Sequence, residues 1–335
     1  MKLTSAEWSP VLFRIVRVHF RVLIAALALA IGAVNAQSYP AKPVRVIVPF
    51  PAGGIFDLVA RAVTDKVAAS WGQPIIVEPR PGASGNIGAQ LTRSATPDGY
   101  TLMLAGVFLA VNPTLDANSR FKAADFAGAA LVGVAPNVFV VPGSLPVSSL
   151  KEFVEYAKAR PGKLNAGHVG TGGFAHLCAL LFAGYTGIDL VIVPYKGQPQ
   201  AIPDLLTGQI SMMVLANTFV IPHVKSGKLK ALAVTGATRF KDLPDVPTIV
   251  EAGFPLETSA VQWFGFVAPA RTSKEHIARF NAEVNKALKS PDVIDRLEKI
   301  GVVPTIGSPQ EYDTLIRAET ERWARLIKER NLKAD

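Results

Sequence analysis

The sequence predicts an α/β protein of two lobes. β-branched runs of strand length alternate with amphipathic helical segments almost throughout. About 299 residues follow a leader-like N-terminus, more than one hydrophobic core usually holds. The last helical segments have no strands of their own to cover, so they are expected to pack back on the first lobe. The chain then crosses between lobes twice, near residues 138 and 263.

The elements follow in order. Arg14, Arg17, His19 and Arg21 precede the apolar run Val22 to Val34, which is short for a bilayer span and ends in Val34-Asn35-Ala36, small side chains suited to cleavage before Gln37. Residues 1–36 therefore read as a secretory signal peptide, and the mature chain is expected to be soluble and exported into a bacterial periplasm. Val44 to Val48 is a buried strand by its β-branched content. Ile55, Val59, Ala62, Val63 and Val67 then recur at helical spacing up to Trp71. Between them Pro49-Phe50-Pro51-Ala52-Gly53-Gly54 turns the chain so that a ligand could approach backbone N–H groups at the positive end of the helix. This turn is either a carboxylate or phosphate seat or an ordinary βα connection whose glycines serve only tightness. Strands at Ile75 to Glu78 and Thr101 to Leu104, with a short helix near Ile87 to Arg93 between them, complete a βαβαβ unit and hence a parallel sheet.

A second α/β unit starts at the strand Asn137 to Val141. Ser149-Leu150-Lys151-Glu152 is a capping box that opens a helix stopped by Pro161-Gly162. A glycine-rich turn running from Asn165-Ala166-Gly167-His168-Val169 through Gly170, Thr171, Gly172 and Gly173 feeds another helix, which carries His176 in its first turn. Strands at Leu190 to Val193, Ile210 to Leu215 and Leu229 to Val234 follow. Leu243 to Pro255 is Pro/Gly-punctuated, and Val261 to Pro269 is a further buried strand. C-terminal helices include Ser273 to Lys289 and Gln310 to Arg330. The domain reading is thus 1–36 signal peptide, 37–137 with 264–335 lobe one, and 138–263 lobe two.

Composition excludes several classes. Removing residues 1–36 leaves 31 Lys and Arg against 25 Asp and Glu, a formal charge of +6 where the full chain has +9. A diffuse positive surplus steers anions, but no Lys/Arg run or basic-aromatic interleaving marks a nucleic-acid site. Cys178 is the one cysteine, so no intrachain disulfide or cysteine metal site forms, and its helical spacing with Phe174, Leu177 and Leu181 puts it in a core. Gly170-Thr171-Gly172-Gly173-Phe174-Ala175 fits the loose dinucleotide pattern, yet the following strand ends in Pro194-Tyr195-Lys196 with no acid to hold a ribose. Gly82-Ala83-Ser84-Gly85-Asn86 lacks nucleophile-elbow spacing, and His168, His176, His223 and His276 lack zincin spacing. No catalytic residue, metal or cofactor is assigned.

Seven motifs in one order carry a resemblance: Tyr39-Pro40-x-Lys42-Pro43, Pro49-Phe50-Pro51-Ala52-Gly53-Gly54-x-x-Asp57, Glu78-x-Arg80-Pro81-Gly82-Ala83-x-Gly85-Asn86-Ile87-Gly88, Pro97-Asp98-Gly99-Tyr100-Thr101, Val193-Pro194-Tyr195-Lys196-Gly197, Leu243-Pro244-Asp245-Val246-Pro247-Thr248 and Glu251-Ala252-Gly253. From Tyr39 to the C-terminus the chain resembles the Bug-type substrate-binding proteins of tripartite tricarboxylate transporters. The resemblance implies a type II periplasmic binding protein fold with a ligand cleft between lobes. It implies a non-enzymatic receptor that captures a small organic carboxylate, without a cofactor, and delivers it to membrane permease subunits; a monomer is expected because no exposed apolar helix remains once the leader's apolar run is removed. It also implies a site: Gly53, Gly54, Asp57, Gly85 and Asn86 from lobe one, and Gly170, Thr171, Gly172, Gly173 and Asn217 from lobe two. Backbone amides and bridging waters would do most of the holding.

Two departures bear on specificity. Gly106-Val107-Phe108-Leu109-Ala110 replaces the hydroxyl- or glycine-rich residues the family often shows after the third strand, which adds Val107 and Phe108 to the expected cleft lining. Ala216-Asn217 stands where many members carry Asp-Asn, so a ligand ammonium loses a partner and a plain carboxylate with an aromatic or aliphatic body is favoured. Asp57 has two readings, a ligand contact or a helix cap paired with Arg61 one turn on. His176 likewise is either a ligand contact or a helix-packing residue. An exported enzyme on the same fold, or a receptor presenting its ligand to a membrane sensor, are the alternative functions.

Overall fold

A computed structural model describes residues 39–169, 173–195, 198–236, 238–255, 261–329 and 332, without the side chains of 198 and 199. Residues 1–36, read above as a signal peptide, and Gly170, Thr171 and Gly172 lie outside the described residues. The fold belongs to the compact unit Lys42–Asp335.

Strand β1 (Val44–Val48) leads into α1 (Ile55–Trp71), β2 (Ile75–Pro79), α2 (Asn86–Arg93), β3 (Thr101–Gly106) and α3 (Val107–Leu115). β1 lies between β2 and β3 and is parallel to both, with Val46 opposite Val77 on one side and Leu102 on the other. The parallel βαβαβ expectation holds. Helix α1 starts at the N-cap Gly54 and stops at Gly72, whose left-handed φ of 64° suits glycine and whose N–H closes on the Ala68 carbonyl.

The long strand β4 (Phe126–Ala135) has no counterpart in the sequence reading. Its run of Gly and Ala carries little strand propensity, but the reason is close packing. A Cβ at Gly133 would stand 2.4 Å from the Val303 carbonyl oxygen, and one at Gly128 would stand 2.9 Å from both Asp313 and Tyr312. These neighbours belong to β11 (Val303–Pro304) and α10 (Pro309–Glu329), which press on β4 together with α8 (Lys274–Ala287). β10 (Gln262–Pro269) runs antiparallel between β3 and β4, so the six-stranded sheet has the order β11-β4-β10-β3-β1-β2. A short α9 (Pro291–Glu298) precedes β11.

Only Pro136 separates β4 from β5 (Asn137–Pro142), the first strand of the second sheet. The capping box then opens α4 (Leu150–Lys158): Ser149 accepts the Glu152 N–H at 3.1 Å, while the Glu152 carboxylate accepts the Ser148 N–H, one residue ahead of the N-cap. There follow β6 (Leu164–Val169), α5 (Phe174–Thr186), β7 (Leu190–Tyr195), α6 (Gln198–Leu206), β8 (Met212–Ala216), α7 (Asn217–Lys225) and β9 (Leu229–Val234). The five-stranded order is β7-β6-β8-β5-β9, with β6, β7 and β8 parallel and β5 antiparallel to both its neighbours. β6 was read from the sequence as part of a glycine-rich turn. Gly167 serves packing there, since a Cβ would meet Ile210 at 2.7 Å.

Period-two alternation sorts this second sheet into two buried faces. Phe139, Val141, Met212 and Val214 join Leu177 and Phe182 of α5 in the main core, and Cys178 is buried beside them. Val138, Val140, Met213 and Leu215 form a smaller core with Leu205 and Val220. Near the crossing, the Asn137 N–H donates to the buried Thr235 hydroxyl at 2.9 Å and the Thr235 N–H returns to the Asn137 carbonyl at 2.8 Å. No helix among the described residues is long and apolar enough to cross a membrane.

Candidate functional site

Neighbouring parallel strands deliver helix N-termini to the same edge of a sheet, and this chain does so three times in each sheet. Strands β2, β1 and β3 are adjacent, and each passes at its C-terminal end into a helix, α2, α1 and α3 respectively. Likewise β7, β6 and β8 are adjacent and feed α6, α5 and α7. Each such edge gathers the positive ends of helix dipoles and the N–H groups that precede the first helical hydrogen bond.

At the first turn of α1 the glycine N–H groups close the turn itself: Gly53 donates to Asp57 at 3.0 Å and Gly54 donates to the Pro51 carbonyl at 3.2 Å. The first helical bond is from Leu58 to Gly54, so the groups ahead of it are the N–H donors of Ile55, Phe56 and Asp57. Only Gly53 has a left-handed φ, 75°, and open space where its side chain would be; Gly54 is extended. Asp57 is buried and accepts from Arg61 at 3.0 Å as well as from Gly53. Burial pushes its carboxyl up, but the hydrogen bonds from Arg61 and Gly53, with the Arg61 charge, hold it below the usual range. The ion pair of Asp57 with Arg61 is thus formed, and its second hydrogen bond ties down Gly53 ahead of the N-cap.

The loop before α2 is strained. Gly82, Ala83, Ser84 and Gly85 all have positive φ, at 133°, 45°, 53° and 95°, although two of them carry side chains. Such a run persists only where its surroundings over-determine it. Here the amide of Asn112 donates to the Ser84 carbonyl at 3.0 Å and to the Asn86 Oδ1 at 2.7 Å, and the Asn86 Nδ2 donates to Asp116 at 2.6 Å. Asn86 and Asn112 are 2% and 1% exposed. The side chain of Asn86 is therefore engaged in holding the loop. Asn112 was not singled out from the sequence, though a lone Asn inside the apolar run Phe108-Leu109-Ala110-Val111 signals a buried polar contact.

Phe108 packs on Gly85, where a Cβ would stand 2.9 Å from its ring. Val107 and Phe108 are 1% and 3% exposed, so they back the cleft and offer it almost no surface. In front of Phe108 lies the half-buried Phe50, with ring centroids 5.5 Å from Phe108 and 4.4 Å from Phe56. The sequence pattern placed Phe50 in the turn before α1 without marking this aromatic cluster. On the second sheet, Gly173 is the N-cap of α5 and His176 is buried against His168, with ring centroids 4.3 Å apart. Asn217 opens α7, its Oδ1 accepting the Thr218 N–H; a Cβ at Gly301, in the turn before β11, would stand 2.5 Å from that oxygen. Asn217 thus packs against the turn that leads into β11, the edge strand of the first sheet. Among the described residues no group of His, Cys, Asp and Glu could hold a metal.

Two α/β sheets joined through Pro136, with helix N-termini gathered at parallel-strand edges, form the two-lobed type II periplasmic binding protein fold, whose ligand cleft lies between the lobes. The chain belongs to the tripartite tricarboxylate transporter receptor family, whose model matches residues 59–332. Protein BugT of Bordetella pertussis is 37% identical over 303 residues, 90% of this chain and 93% of BugT. Among solved structures, a periplasmic transporter is 36% identical with a TM-score of 0.80, covering 89% of this chain and all of that one. Rpa4515 of R. palustris, solved with adipate, is 32% identical with a TM-score of 0.78 over 88% of this chain and 99% of that one. MatC of Rhodopseudomonas palustris, with bound malate, is 31% identical with a TM-score of 0.76 over 86% of this chain and all of MatC. The Bug-type resemblance is borne out, and the solute-binding class follows from it.

Proposed function

We propose that this protein is a periplasmic solute-binding protein that takes a small carboxylate into the cleft between lobe one (37–137 and 264–335) and lobe two (138–263) and hands it to permease subunits of a tripartite tricarboxylate-type transporter. The observation that carries the reading is the convergence of the α1, α2 and α3 N-termini on one sheet edge. Uncharged backbone donors there hold a carboxylate without the desolvation cost of burying an arginine. The charged side chains at those N-termini are already engaged, Asp57 with Arg61 and Arg80 with Glu78, while Asp116, past the C-terminal end of α3, accepts from Asn86. The adipate and malate bound by two relatives support a carboxylate as the ligand. We read the protein as a monomer without enzymatic activity, with residues 1–36 as a signal peptide cleaved before Gln37. Asp57 acts through the shape of the turn. Gly53 and Gly54 keep the backbone approachable, Gly85 makes room for the Phe108 ring beneath the loop before α2, and Gly170 to Gly173 with Asn217 supply the opposing lobe.

Titration calorimetry of the chain starting at Gln37 against a panel of mono- and dicarboxylates tests the reading. One or more should bind with 1:1 stoichiometry and be recovered chemically unchanged after long incubation. Turnover of the bound compound would make the protein an exported enzyme instead.

A further inference from the structure

Resting on that carboxylate reading, we infer that Gln262 is a ligand contact whose side-chain amide selects a carboxylate with a hydroxyl on the adjacent carbon over the plain acid of the same length. Gln262 is the first residue of β10, where the chain returns from the second sheet to the first, and it pairs with Ala135, the last residue before Pro136 on the outward crossing. It shares a face of β10 with Phe264, whose ring meets Phe56 in the first turn of α1 at 5.0 Å between centroids. Phe264 in turn pairs with Gly106, the last residue of β3 and the N-cap of α3. A Cβ on Gly106 would stand 2.8 Å from the Gln262 Nε2 and 2.9 Å from the tip of the Phe56 ring. The absent side chain at Gly106 thus leaves room for the amide, which lies between the N-termini of α1 and α3, at the edge where the carboxylate is proposed to bind.

Most of the hydrogen-bonding capacity of that amide is unspent. Nε2 donates to the Trp263 carbonyl at 3.3 Å, which fixes the nitrogen end, and the side chain makes no other hydrogen bond among the described residues. One N–H donor and the Oε1 acceptor remain, on a half-buried residue. A carboxylate oxygen only accepts, and the N–H groups of Ile55, Phe56 and Asp57 already answer it. A hydroxyl both accepts and donates, so it takes the free N–H and gives its proton to Oε1, which neither a methylene nor a second carboxylate does. Because the amide abuts the two N-termini themselves, the ligand group it meets is one carried next to the carboxylate. Val107 and Phe108, expected from the sequence to line this end with apolar surface, are buried, and the polar group presented beside them is the Gln262 amide. A site that hydrogen-bonds a ligand hydroxyl discriminates against the analogue lacking it; with the amide only half-buried, water replaces part of the loss, and the preference is about tenfold.

The test is titration calorimetry on the chain from Gln37, on Gln262→Leu and on Gln262→Met, with three pairs of acids that differ by one 2-hydroxyl: propanoate and lactate, succinate and malate, 3-phenylpropanoate and 3-phenyllactate. In the unaltered protein the hydroxy acid of at least one pair should bind about tenfold more tightly than its partner. Both variants should bring that ratio to within about twofold and leave the plain acid nearly unchanged, with the unbranched Gln262→Met covering a packing defect in Gln262→Leu. Equal affinities within every pair in the unaltered protein would overturn the inference and leave the carboxylate reading intact. So would a preference that survives in both folded variants, or a carboxylate ligand found outside these pairs when no hydroxy acid among them binds. An equal loss of both members of a pair in the variants would also overturn it, since Gln262 would then shape the cleft without reading the hydroxyl. If no carboxylate binds the unaltered protein, the carboxylate reading itself fails, and the inference with it.

Discussion

Asn112 is the pin of the strained loop, and removing it has a calculable effect. Asn112→Ala takes the donor from two acceptors, the Ser84 carbonyl and the Asn86 Oδ1, the second of them fully buried. At about 1–3 kcal/mol for each unsatisfied buried group, partly relieved by water at the Ser84 end, the loss is on the order of 2–4 kcal/mol. At about 2 °C per kcal/mol for a chain of this size, the melting midpoint should fall by roughly 4–8 °C. Ser84→Gly works in the opposite sense. A left-handed φ at a non-glycine residue costs about 1–2 kcal/mol, and the greater freedom of glycine in the unfolded chain returns about 0.5–1 kcal/mol of that, so the midpoint should rise by about 1–2 °C. The two changes should couple, because the pin holds the strained turn: in the Ser84→Gly background, Asn112→Ala should cost about 1 kcal/mol less. Scanning calorimetry on the four proteins of this cycle reads all of this. Additive effects, or a midpoint unmoved by Asn112→Ala, would refute the reasoning.

Three further outcomes are expected. Gly54→Val should fold, since φ −76° and ψ 170° are open to valine, but its branches crowd the Pro51 carbonyl 3.1 Å from the Cβ position and the entrance to the α1 N-terminus; carboxylate affinity by calorimetry should drop at least about tenfold, and unchanged affinity would make this turn purely structural. Asp57 has a lowered folded pKa, so its contribution to stability is present above its unfolded value of about 4 and drains as the pH falls through the folded one; the difference in midpoint between the unaltered protein and Asp57→Asn should be constant above about pH 5 and shrink below about pH 4. Tyr195 donates to Asp204 at 2.7 Å, and that bond, with burial, pushes its phenol up to about 12; absorbance titration should show a phenolate step there that Tyr195→Phe removes, with the fully buried Tyr312 raised further still, and the absence of that step from the unaltered protein would contradict the pairing.

The sequence was most readable where local pattern and tertiary role agree. The β-branched β1, the helical periodicity of α1 and the Ser149 capping box each name their own conformation. It was least readable at β4, where Gly128 and Gly133 are set by what Tyr312, Asp313 and Val303 press against them from residues far along the chain. Nothing in a Gly/Ala run announces such a neighbour. The same holds at the site. The motif Pro49 to Asp57 marks the loop, but that Gly53 and Gly54 spend their own N–H groups closing the turn is a matter of three-dimensional geometry. Val107 and Phe108 were legible as apolar, and their burial behind Phe50 was not, because burial depends on α3 starting at once after β3.

The claim that this chain is a carboxylate receptor is tested most directly by native mass spectrometry of the protein gently isolated from the producing cell. The account predicts a mature chain beginning at Gln37 with one small molecule bound per chain, which on release fragments with loss of carbon dioxide as a carboxylate does. A bound molecule without a carboxylate, or a chain that neither carries a ligand nor takes up any member of the carboxylate panel, would contradict it.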